Sequence, residues 1–224
     1  HLFRGLITMI HTNVEQINLA LQGCFIIGVI ACSISGTFIA ISSRMDITGA
    51  ILLAFIKSYG GGIVRDLMLN SEPLWIKDYR YAILSIVTAI ITYLICYWNK
   101  QFLTSKKIYN LLIFFDAIGL GVFCIFGMEK VTSTLGNNYV IAIIMGLWTP
   151  IGGGVLADML ANRLPMVFSS ELYITVALLG AFLYIGLGFI ITPELAAIVS
   201  VITMIIVRML SVKYHWHLPI IKNI

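Results

Sequence analysis

The chain has 224 residues, of which 60% are hydrophobic and only 11% charged. A water-soluble domain carries roughly 25% charged residues, so this chain cannot cover a water-facing surface, and an integral membrane protein is expected. The net charge of +4, from 14 Lys+Arg against 10 Asp+Glu, contains no long basic run. It therefore reads as a topology signal, and no nucleic-acid partner is expected.

Seven stretches meet the ~20-residue requirement of a bilayer-spanning helix. They run from Ile17 to Ile41, Ile47 to Leu69, Tyr79 to Trp98, Ile108 to Met128, Asn138 to Leu160, Ser169 to Ile190 and Glu194 to Ser211. The expected fold is all-α, a single compact bundle. No cleavable signal peptide is evident, and the first span serves as its own insertion signal. Arg4, Lys77, Arg80 and Lys130 fall on the N-terminal side. Arg44, Lys100, Lys106, Lys107, Arg163, Arg208, Lys213 and Lys222 fall on the other. The positive-inside rule then places the N-terminus outside and the C-terminus in the cytoplasm of a cell with this protein in its inner or plasma membrane.

The second span contains "KSYGGGIVRD" from Lys57, and the fifth contains "TPIGGGVLAD" from Thr149, ninety-two residues later. Pro73 and Pro165 share that offset, and Gly28 and Gly36 match Gly119 and Gly127 at an offset one shorter. Spans one to three thus repeat as spans four to six, with the seventh left over. Three spans per unit invert the second copy, and such inverted repeats build transport sites near the midplane. The organisation expected is an N-terminal segment 1–16, a first repeat 17–98, a cytoplasmic linker 99–107, a second repeat 108–190, a seventh helix 191–211 and a cytoplasmic tail 212–224.

Each glycine costs about 1 kcal/mol relative to alanine in a helix, and Pro150 removes a backbone donor. The triplets Gly60–Gly62 and Gly152–Gly154 are accordingly expected to interrupt or kink their helices. A break exposes carbonyls that can coordinate a cation and N–H groups that can hold a carboxylate. Both remain available to this sequence. The bland alternative is that the triplets serve only close helix packing. Two triplets in register, each followed by an acid at the same distance, favour a site.

Lys57 lies about ten residues, or ~15 Å, into its span. A charge at that depth faces the bundle interior or water. Asp116 sits at comparable depth in the fourth span, so a Lys57–Asp116 pair is possible, although spacing does not establish it. Arg65, Asp66 and Asp158 lie nearer span ends, where caps or salt bridges suffice. Ser33, Ser35, Ser58 and Thr149 have hydroxyls able to line a pathway. Cys24, Cys32, Cys96 and Cys124 lack metal or disulfide spacing, and His215 and His217 have no further ligands nearby. No metal, cofactor or catalytic constellation is expected.

"SGTFIAISSR", "GGGIVRDLML" with its following "PLW", "DAIGLGVFCIFG" and "GGGVLADML" resemble the prokaryotic trimeric intracellular cation channel family. That group shares its duplicated domain with bacterial proteins named as glycine transporters. The resemblance spans about residues 20–210. It implies seven transmembrane helices in two inverted three-helix repeats plus one. It further implies a homotrimer with one pore per protomer around two kinked helices, gating or lining by a lysine at the place of Lys57, and conduction of K+ and also Na+. Two departures stand out. Ala157 occupies the place of an arginine after the second triplet, and Phe25 occupies the place of an acid in the first span that Asp116 keeps in the fourth. A glycine carrier using the same site is the rival reading, and a scaffold that transports nothing is a third.

Overall fold

The computed structural model describes residues 23–99, 105–169 and 172–216. The segment 1–16, the expected span start at Ile17, most of the 99–107 linker, and His217 with the tail beyond it lie outside these residues. Every regular element among the described residues is helical. The chain order is α1 (Gly23–Ser42), α2 (Ile47–Met68), α3 (Leu74–Lys77), α4 (Tyr79–Trp98), α5 (Ser105–Leu135), α6 (Tyr139–Leu160), α7 (Met166–Ser169), α8 (Tyr173–Gly188) and α9 (Pro193–Lys213).

Six of these helices are long and apolar enough to cross a membrane. The sixth expected span is shorter than its sequence suggested. It becomes α8, 16 apolar residues, about 24 Å long against a hydrocarbon core of about 30 Å. The fourth is longer, a 31-residue α5 of about 46 Å. Its polar end continues because Thr132, Ser133 and Thr134 return their hydroxyls to the Glu129 and Lys130 carbonyls, which keeps these side chains compatible with helix.

Local chemistry sets the ends. Asp46 caps α2 by accepting from the Gly49 N–H at 2.8 Å and from the Thr48 hydroxyl at 2.6 Å. Those bonds, the hydroxyl first, hold its carboxyl below the usual range. Asn138 caps α6 through the Ile141 N–H, and Pro193 opens α9, where a missing N–H costs nothing. The helices α2 and α6 close identically. Asn70 and Asn162 take left-handed φ of 50° and 53°, a conformation asparagine tolerates. The next N–H groups, of Ser71 and Arg163, then return to the Asp66 and Asp158 carbonyls at 2.8 and 2.9 Å. Pro73 and Pro165 follow and launch the short helices α3 and α7, in stretches that the sequence reads as connections between spans.

The expected interruptions do not occur. Both α2 and α6 are continuous α-helix through their glycine triplets, and α6 also through Pro150. The physical reason is the surroundings. Freed backbone groups need water or protein partners that an apolar bundle does not supply, so each triplet keeps its helical hydrogen bonds.

The most deeply covered spans are α5 and α1, whereas α4 and α9 lie outermost. Ile83, Val87, Ile91 and Ile95 form an exposed stripe on α4, and Ile198, Ile202 and Ile206 form one on α9. Four-residue spacing puts each set on one helix face, a surface suited to lipid.

Candidate functional site

The glycines that leave the helices unbroken bring them into contact. A Cβ added to Gly61 would strike the Thr149 carbonyl oxygen, and one added to Gly153 would strike the Lys57 carbonyl oxygen. A Cβ on Gly152 would lie 3.1 Å from the Gly61 Cα, and one on Gly60 would lie 3.4 Å from the Gly153 Cα. Backbone touches backbone, and only residues without a side chain allow it. These contacts are reciprocal: Gly61 and Gly153 are equivalents in the sequence repeat, and so are Thr149 and Lys57. The same exchange occurs elsewhere. Gly28 meets Phe123 while Gly119 meets Cys32, and Gly36 meets Ala54 while Gly127 meets Gly146.

Lys57, from α2, meets Asp116, from α5: Nζ donates to Oδ1 at 2.6 Å. Both residues are only 4% exposed. The ammonium lies beside Gly154, 4.0 Å from where its Cβ would be, so the third glycine of the second triplet makes room for the lysine head. The other Asp116 oxygen, Oδ2, is buried without a hydrogen-bond partner among the described residues. It retains accepting capacity.

A hydroxyl chain adjoins the pair. The Ser33 hydroxyl donates to Ser85 at 2.9 Å, pairs with Ser58 at 3.0 Å, and joins α1, α2 and α4 in one polar contact. Ser35 stands apart and donates to the Leu112 carbonyl.

On the far side of the crossing, Arg65 binds Asp66 Oδ1 through Nε at 2.8 Å and Nη2 at 2.7 Å. Its Nη1 reaches the Thr149 hydroxyl at 3.4 Å, and its guanidinium lies 5.4 Å from the centre of the Phe126 ring. Thr149 in turn donates to the Met145 carbonyl. A cavity of about 20 Å³ opens here, lined by Ser58, Gly62, Arg65, Asp66, Trp75 and Thr149 among others. That volume holds about one water. Asp158 serves α7: its Oδ2 accepts the Met166 N–H at 2.9 Å, and Arg163 stays 3.9 Å from Oδ1.

The two sides differ as the sequence departures foretold. Where Asp116 holds Lys57, its repeat equivalent Phe25 instead joins an aromatic cluster with Tyr59, Tyr81, Phe123 and Phe126. Ser85 was missed by sequence reasoning, although its place two turns inside the apolar α4 was a signal. Arg208 is a correction. Counted above as a cytoplasmic charge, it is fully buried in α9, with its guanidinium 5.0 Å from the Tyr173 ring centre. Its position five residues before the end of α9 had allowed the simpler reading.

Continuous apolar helices packed around a buried ion pair define a multi-pass membrane protein. A family model described as "Glycine transporter" matches residues 24–97 and 113–188, and the chain belongs to that family. It is 33% identical over 196 residues to a UPF0126 membrane protein of Vibrio cholerae, covering 86% of this chain and 79% of the relative. Two solved structures share the fold. A prokaryotic TRIC channel crystallised in 0.5 M KCl superposes with a TM-score of 0.80 at 31% identity, over 90% of this chain and 100% of that one. The TRIC trimeric intracellular cation channel orthologue of Rhodobacter sphaeroides gives 0.78 at 30% identity, over 87% and 98%. These family and fold neighbours are membrane transport proteins, not enzymes.

Proposed function

We propose that this chain is a monovalent cation channel, passing K+ and also Na+, that works as a homotrimer with one pore in each protomer. The pore follows the crossing of α2 and α6. Gly60–Gly62, Ser58, Thr149, Pro150 and Gly152–Gly154 form its wall, Lys57 and Asp116 its gate, and Ser33, Ser35, Arg65, Asp66 and Asp158 its support. Seven spans form two inverted three-helix repeats plus α9, a reading supported by the reciprocal glycine contacts. Pro150 bends α6, because its ring displaces the preceding turn. The N-terminus faces outward and the C-terminus the cytoplasm of an inner or plasma membrane.

The observation that carries this reading is the buried Lys57–Asp116 contact at the edge of the glycine crossing. With its ammonium beside Gly154, Lys57 repels cations electrostatically. When Lys57 moves away, Asp116 is left facing the path and attracts them. Unbroken helices also weigh against the glycine carrier, the rival for the same site. A helical N–H has one hydrogen and it is used, so no free donors remain at the triplets to hold a carboxylate. A helical carbonyl keeps a second lone pair and can still meet a cation. Pro150 also leaves the Gly146 carbonyl without its usual helical donor.

Single-channel recording in planar bilayers with asymmetric KCl tests the proposal. Discrete current steps reversing near the K+ equilibrium potential are expected, and Lys57→Ala raises open probability. Saturable glycine uptake without current steps would establish the carrier instead. Unchanged currents in Lys57→Ala would remove that residue from the gate.

A further inference from the structure

Asp158 carries a charge that its contacts leave half-answered. It lies near the end of α6 and is 1% exposed. Its Oδ2 accepts the Met166 N–H, but Oδ1 is buried without a hydrogen-bond partner among the described residues. Its one ion-pair contact among those residues is Arg163 Nε at 3.9 Å, too long for a hydrogen bond. Arg163 instead donates from Nη1 to the Ser42 hydroxyl at 3.1 Å. A buried carboxylate without a bonded cation is costly.

The repeat shows what is missing. Asp66 is the equivalent of Asp158, and its neighbour Arg65 donates to it through both Nε and Nη2. Ala157 stands in the place of that arginine. Another cation lies one turn away. Gly154 and Asp158 are four residues apart, hence on one face of α6 and separated by about 6 Å along its axis. The Lys57 ammonium sits beside Gly154 and within electrostatic reach of Asp158. Gly154 has no side chain to stand between them. Lys57 is thus flanked by two carboxylates, each with one buried oxygen unbonded among the described residues, Asp116 Oδ2 and Asp158 Oδ1.

We propose that Asp158 is the second seat of the Lys57 ammonium: Lys57 rests on Asp116 in the closed gate and binds Asp158 Oδ1 in the open one. The inference rests on the gate proposed above and names where its lysine goes. Without such a seat, opening would strand a buried ammonium. With it, a shift of one turn along α6 frees Asp116 to face the path and keeps Lys57 paired. Asp116 remains the better seat, because Lys57 already touches it.

Two readouts on the full chain test the proposal. Asp158→Asn keeps an acceptor for the Met166 N–H and removes the charge. In planar bilayers with symmetric KCl it should lower open probability about tenfold, the factor set by a hydrogen bond to a charged group. Asp116→Asn, which leaves Lys57 the second seat, should raise open probability. Thermal unfolding in detergent reads the same ion relation without current. Asp158→Asn should lower the unfolding temperature more in the Asp116→Asn protein than in the unaltered one, and this excess should vanish when Lys57→Met is added. Equal losses in the two backgrounds would overturn the proposal whether or not the chain conducts. An unchanged open probability in Asp158→Asn would overturn the gating role. Coupled unfolding in a protein that passes no current would uphold the second seat and reject the channel instead.

Discussion

Substituting Gly61 by alanine isolates the contact on which the crossing depends. The adjacent Gly62 supplies the control, because both belong to one triplet and both gain the same helix propensity, about 1 kcal/mol, on becoming alanine. Their surroundings differ. The new methyl at position 61 would land on the Thr149 carbonyl oxygen, whereas at position 62 its nearest neighbour is Arg65 Nη2 at 3.7 Å, an ordinary contact. A backbone carbonyl in a packed helix cannot rotate aside as a side chain does. The helices must move apart, and overpacking of this kind costs about 1–3 kcal/mol. Gly62→Ala should therefore match or exceed the unaltered protein in thermal unfolding in detergent, and Gly61→Ala should fall below Gly62→Ala by that margin. Gly153→Ala, which meets the Lys57 carbonyl, should repeat the result from the other helix. Equal unfolding temperatures for Gly61→Ala and Gly62→Ala would refute the tight crossing.

Removing one member of the central ion pair strands the other. Asp116→Ala should cost about 3–5 kcal/mol, the range for an uncompensated buried charge, while the double variant Lys57→Met, Asp116→Leu should recover most of the loss in the same unfolding assay. The exposed cap at Asp46 gives a pH dependence of defined sign. Its carboxyl titrates below its ordinary value of 3.8 in the folded chain, so its contribution is complete above that value and fades as the pH falls further. Asp46→Ala should lower the unfolding temperature at neutral pH and leave it less sensitive to acid, which a pH series of melts measures.

Hydropathy located α4 to the residue and α6 to within one, because a lipid-facing helix must be apolar along its whole length. Lys57 and Asp116 were legible as buried charges, because charge at mid-membrane needs a partner, but that they partner each other is settled only by the packing of α2 against α5. The glycine triplets were located correctly, but the interruption expected of them does not occur. Propensity counts what glycine loses within its own helix, and it does not register a second helix whose backbone fills the vacated space. Ser85 and Tyr173 were missed because their significance comes from helices distant in sequence. Depth along the chain misled for Arg208, whose partner ring lies on α8, not in the solvent. The paired asparagine closures of α2 and α6 were visible as letters but carried no signal until their left-handed backbones were seen.

Phe25 and Asp116 occupy mirrored places, and one is oil where the other is acid. Under the proposed inverted arrangement, a matched pair of halves would look alike to an ion arriving from either compartment. If the proposed pore runs between these halves, that equivalence is lost: traffic in one direction would meet a carboxylate and its lysine first, and traffic in the other would meet the aromatic cluster around Phe25. Its current–voltage relation should accordingly bend at zero bias even in identical salt on both sides, a rectification written into the divergence of two duplicated segments.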